Sequence, residues 1–326
     1  MTFERALRVS TVLYRLRQAL PGFMGCLWVA IHPVTVQGQS VDSTDSTAIT
    51  AQASQGSEDA PDSALPTCGL PSELASRLRT MLAAGEKVGY RGTLLIEYGN
   101  DREFVAVDTA SPEGPVQYTR LNRSASATPQ TVVLPSYGYR RGLCELQQWY
   151  SFAVEASDQV VAGRSTWRLS ARPRDTLRLG YLMDIDRTSG VPLRVITITP
   201  EGQILERFEF ADVALTDTPP VAVSVASTGH AGYRFAGLPP GFSLIAEGAE
   251  PVDFLVASDG MASVSVFIED QPRALTDGEG VVLRGSTLAY TRGTADNYLI
   301  TVMGEVPVAT ARLLADGIRR RVKPES

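Results

Sequence analysis

Residues 158–210 confine this chain to antiparallel β-structure before anything else is read. Leu179, Tyr181, Met183 and Ile185 alternate with Gly180, Leu182, Asp184 and Asp186, the period-2 pattern of a strand with two unlike faces. Asp186-Arg187-Thr188-Ser189-Gly190 follows as a turn, because aspartate bonds its own backbone and glycine accepts positive φ. Val191, Leu193 and Val195 then alternate on a returning strand. Pro200-Glu201-Gly202 turns again, and Ile204, Glu206, Phe208 and Phe210 begin a third. Such a meander has one face to cover with apolar material and one to give to water.

The flanking sequence extends this pattern. Residues 71–84 predict a helix with Leu74, Leu78, Met81 and Leu82 on one stripe, and Gly85 just past its end. Strands are predicted over 90–98, 104–107, 116–121, 131–134, 146–155 and 166–171. One helix followed by many antiparallel strands implies a mostly β, α+β chain whose first domain, 67–218, is an open, curved antiparallel barrel with a covering helix. Residues 219–232, with Pro219-Pro220 and small residues, read as a linker. A smaller α+β domain is predicted over 233–322. In it Asp259-Gly260 marks a hairpin, and a closing helix over 307–321 carries Arg319, Arg320 and Arg321 in its last turn.

Residues 1–38 read as a signal peptide: four arginines and one acid, then the apolar run FMGCLWVAI and small residues. Residues 39–66 hold five acids and no lysine or arginine, which predicts an unstructured tether. A periplasmic protein is expected. Of the three cysteines, Cys26 would leave with the signal peptide, and Cys68 and Cys144 would remain as an even pair. In an oxidising compartment they are expected to bond; without export, two thiols are the alternative.

The formal net charge of −6 offers no global basic field for nucleic acid, and two histidines give little for metal or acid–base work. There is no G-x-S-x-G elbow, Walker loop, dinucleotide fingerprint or C-x-x-C, so no enzyme and no cofactor is expected. Asp184 and Asp186 lack the later acids of a calcium loop. The aromatic residues say more. A curved sheet too wide for its own side chains leaves an apolar cavity, and Phe104, Tyr118, Trp149, Trp167, Tyr181 and Met183 are its candidate walls. Trp149 and Tyr150 adjoin, so an alternating strand would send them to opposite faces. Most of the first domain's aromatics read as ordinary core.

Several segments carry a family resemblance: V-A-G-R at 161–164, R-P-R-D at 172–175, G-Y-x-M-D-I-D-x-x-S-G-V-P-L at 180–193 and E-R-F-E-F at 206–210. Tyr90-Arg91-Gly92-Thr93 belongs with them. So do L-P-P-G-F at 238–242, S-D-G-M-A-S-V-S-V-F-I-E at 258–269 and T-V-M-G-E-V-P-V-A-T-A at 301–311. Together they resemble the MucB/RseB family, periplasmic regulators of an envelope-stress sigma factor, whose large domain is similar to the lipoprotein carriers LolA and LolB. Residues 108–147 depart from the family pattern. The resemblance implies binding to the periplasmic part of a membrane-anchored anti-sigma factor and shielding of it from site-1 proteolysis. A lipid or lipopolysaccharide-type ligand would loosen the grip, and a homo-oligomer is open. The rival expectation is a lipid or lipoprotein carrier. Asp259, Gly260, Phe267, Glu305 and Pro307 lie in the best-matching segments of the second domain and are the candidate partner-binding residues. Phe267 is either an outward anchor or part of a second buried face.

Overall fold

The computed structural model describes residues 67–109, 117–121, 130–131, 142–155, 158–219, 230–249, 252–271 and 278–321. The predicted signal peptide and tether lie outside them, as do residues 132–134 of one predicted strand. Among the described residues no helix is long and apolar enough to cross a membrane.

The first domain opens with α1 (Ser72–Lys87), which runs through Gly85 instead of ending there. Strands β1 (Gly89–Tyr98), β2 (Asp101–Asp108), β3 (Gln117–Arg120) and β4 (Gln130–Thr131) follow, then α2 (Leu143–Trp149). Next come β5 (Tyr150–Glu155), β6 (Val160–Val161), β7 (Arg164–Pro173), β8 (Gly180–Asp186), β9 (Pro192–Ile198) and β10 (Ile204–Thr216). The described strands form one curved, open sheet in the order β4-β3-β2-β1-β10-β9-β8-β7-β5, with β6 on β7. The meander keeps the alternation read from the sequence: Tyr181, Met183 and Ile185 enter a core with Leu74, Ala75, Leu78 and Met81 of α1. A second core, under β1, β2 and β9, holds Leu94, Ile96, Val105, Val107 and Leu193.

The prediction of one strand over 146–155 is corrected. Its first half is α2, because Leu143 and Leu146 sit three apart and are buried on one helical face. Cys144 on α2 is bonded to Cys68, just before α1, with Cα atoms 5.1 Å apart.

The other face of the sheet carries alternating charges across six strands. Arg168 pairs with Asp184, Asp184 with Arg194, Arg194 with Glu209, Arg207 with Glu97, and Glu97 with Arg102. Each of these pairs sits directly opposite in register. Opposite charges so placed favour this register over a slip of one residue. Asp186 is held by Arg164 and by the backbone and hydroxyl of Ser189. Both aspartates that touched on a calcium loop are therefore engaged by arginine.

Hydrogen bonds from Arg194 and Arg207 hold the Glu209 carboxyl below its ordinary value of 4.5. Burial pushes the Asp186 carboxyl up, but Arg164 and Ser189 outweigh it and the net shift is downward. A depressed carboxylate contributes stability above its ordinary value and loses it as pH falls through the lower folded value. The melting temperature should therefore drop as pH falls below about 4.5, the unfolded-chain value for glutamate. Glu209→Gln should flatten that slope in melts between neutral pH and pH 3.

The second domain comprises β11 (Tyr233–Phe235), β12 (Ser243–Gly248), β13 (Asp253–Ser258), β14 (Ser263–Asp270), β15 (Glu279–Arg284), β16 (Thr287–Gly293) and β17 (Tyr298–Gly304). It closes with α3 (Val308–Asp316) and β18 (Ile318–Arg320). Six strands form an antiparallel sheet in the order β12-β13-β14-β17-β16-β15, and β11 pairs with β18. Val264, Val266 and Ile268 meet Ala311, Leu314 and Ala315 of α3 in the core. The closing helix is shorter than predicted. Arg319 and Arg320 sit on a strand facing Arg234 and Tyr233, so they do not complete a last helical turn. Gly317 ends the helix, where its backbone N–H bonds the carbonyls of Leu313 and Leu314.

Candidate functional site

In an antiparallel sheet alternate turns lie at one end. The β13–β14 turn, the β15–β16 turn and the β17–α3 connection of the second domain share one end, and that end rests on the first domain. At its centre is Arg178, in the loop between β7 and β8, which is fully buried. Its Nε lies 2.9 Å from Asp259 Oδ2 in the β13–β14 turn, an ion pair without hydrogen-bond alignment. Its other nitrogens donate to Asp175 and to the carbonyl of Pro240. The guanidinium stacks 4.6 Å from the Trp149 ring centroid and 5.3 Å from that of Phe242.

Asp259 faces two ways. Oδ1 accepts the backbone N–H groups of Met261 and Ala262, which shapes the turn, and Oδ2 accepts the Tyr150 hydroxyl at 2.8 Å. Burial first, and the Asp259 charge second, push the Tyr150 hydroxyl well above its ordinary value of 10.0, so it stays a donor. Isolated buried charge is costly. Here an arginine, an aspartate and a tyrosine satisfy one another across the two domains. Met261, from the same turn, completes the apolar core of the first domain.

A second contact lies across the junction. Glu206 of β10 accepts the backbone N–H of Ser286 at 2.9 Å and its hydroxyl at 2.6 Å, and that hydroxyl lies 3.0 Å from Glu305 Oε1. Arg284 donates to Tyr98 Oη at 2.7 Å and pairs with Glu103, which Arg120 also contacts. Thr310, in the first turn of α3, donates to the carbonyl of Leu177 at 2.6 Å.

This geometry relocates the candidate residues. Asp259 and Glu305 are buried against the first domain, and Gly260 and Pro307 flank them half-buried. The segment is a docking surface, but what it docks in this chain is the other domain. Phe267 is 3% exposed, opposite Phe254 and Thr301, so it belongs to a second buried face and is not an outward anchor. Both faces of a central strand are covered here, which alternation cannot distinguish from one.

Of the candidate cavity walls, Trp167, Tyr181 and Met183 share the core beneath α1. Trp149 packs on the rim of that core and under Arg178. It ends α2 where Tyr150 begins β5, so strand alternation does not govern the pair. Phe104 is 37% exposed, on the face of β2 opposite Val105 and Val107, and does not join the others. Tyr118 lies on β3, but its side chain lies outside the described residues. Among the described residues no cluster of histidine, cysteine and carboxylate side chains is placed to hold a metal.

The sequence matches two family profiles end to end: the MucB/RseB N-terminal domain over residues 102–228 and the MucB/RseB C-terminal domain over residues 227–319. They meet inside the segment read as a linker. The Sigma factor AlgU regulatory protein MucB of Pseudomonas aeruginosa is 31% identical over 197 residues, 54% of this chain and 62% of that one. The Sigma-E factor regulatory protein RseB of Escherichia coli K12 is 26% identical over 196 residues, 53% of this chain and 60% of that one. The match thus spans somewhat under two thirds of each relative. A crystal structure of MucB in complex with MucA(peri) superposes with a TM-score of 0.58 at 26% identity, covering 77% of this chain and all of that one. Profile matches over both domains, in order and adjoining, place this chain in the MucB/RseB family.

Proposed function

We propose that the chain binds the periplasmic part of a membrane-anchored anti-sigma factor, shields it from site-1 cleavage, and releases it in response to a lipid-type signal. The observation that carries this reading is the buried junction, which holds both family domains in one fixed arrangement. A binding surface spanning two domains loses little ordering entropy when those domains are already fixed. The curated relatives are sigma-factor regulatory proteins, and a related chain has been crystallised with MucA(peri). Lipid sensing has a physical route here. An acyl chain wedged into the core beneath α1 would act on Met261 and Trp149, two residues that also belong to the junction. A ligand shifts such an arrangement only by its differential affinity for the two states.

The test is to mix the purified chain with the periplasmic segment of the anti-sigma factor from the same organism. Co-elution and slower site-1 cleavage of the segment are expected, with both reversed by an acyl-chain amphiphile. Acyl-chain uptake with no complex would instead support the rival carrier reading.

A further inference from the structure

We propose that the Cys68–Cys144 disulfide is a thiol–disulfide exchange site for a protein dithiol, attacked at Cys144, and that opening it loosens the junction between the two domains. The two sulfurs are not equivalent. Cys144 is exposed on α2, whereas Cys68 is half-buried and packs against the first-domain core. Cys68 also sits at φ +57°, in the left-handed region that residues other than glycine disfavour. Exposed disulfides are the ones open to an external thiolate, and the reachable sulfur decides where it lands.

The bond secures the starts of two helices. Neither α1 nor α2 has a side-chain cap, and the residues at those positions are Pro71 and Gly142. Cys68 precedes α1 and Cys144 is the second residue of α2, so one bond pins both starts. The α2 helix has only 7 residues, too short to hold its shape without tertiary support. Its support is Leu143 and Leu146 in the core, the disulfide at its start, and Arg174 at its end, which donates to the carbonyls of Gln147 and Trp149. Such a short helix has no interior, so releasing its start disturbs its end. That end is Trp149, under Arg178, followed at once by Tyr150, whose hydroxyl donates to Asp259 of the second domain. From Cys144 to Trp149 is about 8 Å along the helix axis. The covalent bond is thus one short helix away from the ion pair that joins the domains.

The exchange moves two electrons and two protons. A thiolate of the dithiol attacks Cys144 Sγ, the bond to Cys68 breaks, and Cys68 leaves as a thiolate that takes up a proton. The second thiol of the dithiol then loses its proton and attacks its own partner sulfur in the mixed disulfide. Cys144 leaves as a thiolate and is protonated in turn. The dithiol ends as a disulfide and the chain as two thiols. The reverse exchange with an oxidised dithiol protein closes the bond again, so the junction follows the redox state around the chain.

Measurements on the purified full chain test this. Dithiothreitol should open the bond in the native chain at a rate within about tenfold of that in urea, since Cys144 is already open to solvent. A thioredoxin whose resolving cysteine is replaced by serine should be trapped on Cys144, as read by peptide mass. Hydrogen exchange then reports the junction. The backbone N–H groups of Met261 and Ala262, which Asp259 holds in the second domain, should exchange at least about tenfold faster in the reduced chain. Those of β17 in the same domain should not change. Cys68→Ser combined with Cys144→Ser should behave like the reduced chain and ignore dithiothreitol. A bond that opens only after urea unfolding, or an adduct on Cys68, would overturn the proposal. So would equal acceleration in β17, which would mean that reduction simply unfolds the second domain. Unchanged exchange at Met261 and Ala262 would overturn it as well, for the bond would then brace the first domain alone.

Discussion

Arg178→Ala is expected to cost about 3–5 kcal/mol, the range for removing one partner of a buried ion pair. The loss arises because Asp259, fully buried, loses its cation. Trp149 and Phe242 lose the guanidinium between the domains at the same time. The effect should be visible in urea unfolding as more than a lower midpoint. The native chain is expected to unfold with the junction holding both domains together. The variant should show two separated transitions, one per domain. Asp259→Ala should act in the same direction, and the double variant should cost less than the sum of the two, the mark of residues that interact directly. If Arg178→Ala lowers stability by less than 1 kcal/mol, roughly the worth of an exposed pair, the junction does not couple the domains.

Gly241→Ala carries the second large effect. Gly241 sits at φ +79°, and a Cβ there would lie 2.5 Å from Trp149 Cε2 and closer still to Arg178 Nη2. The arginine cannot easily retreat, because it is fixed by Asp175, Asp259 and Pro240. Gly202 supplies the control: it has a similar φ of +89°, but a Cβ there meets nothing within 4 Å. Gly202→Ala should cost only the left-handed backbone penalty of about 1–2 kcal/mol. Gly241→Ala should exceed that by about 1–3 kcal/mol, the usual range for overpacking. Equal costs in thermal melts would show that the segment before β12 does not press on the first domain.

The sequence revealed the parts of this fold that repeat a local pattern. Alternation at Tyr181, Met183 and Ile185 marked the inward face of β8, and the Leu74, Leu78 and Met81 stripe marked α1, because burial there follows the period of the element itself. Where an element is short, the pattern fails. In Leu143–Trp149 only the three-apart spacing of Leu143, Leu146 and Trp149 distinguishes a helix from the start of a strand, and β18 is only three residues long. The junction was legible only in part. Its segments stood out as rigid turns with a family pattern, yet nothing local tells whether such a turn meets another protein or the same chain. Tyr150 and Asp259 are 109 residues apart. Arg178 gave no signal at all, since an arginine in a polar loop is ordinarily solvated. The charge ladder was hidden for the same reason: Arg168, Asp184, Arg194 and Glu209 look like separate surface charges until the register sets them opposite one another.

The most direct test of the account is calorimetric titration of the anti-sigma factor's periplasmic segment into the native chain and into Arg178→Ala, at a denaturant-free temperature where each domain of the variant remains folded. Binding to the native chain and a loss of at least about tenfold in the variant, or 1.4 kcal/mol, is the predicted result. No binding to the native chain, or equal affinity for both, would contradict a function that depends on the two domains being held together.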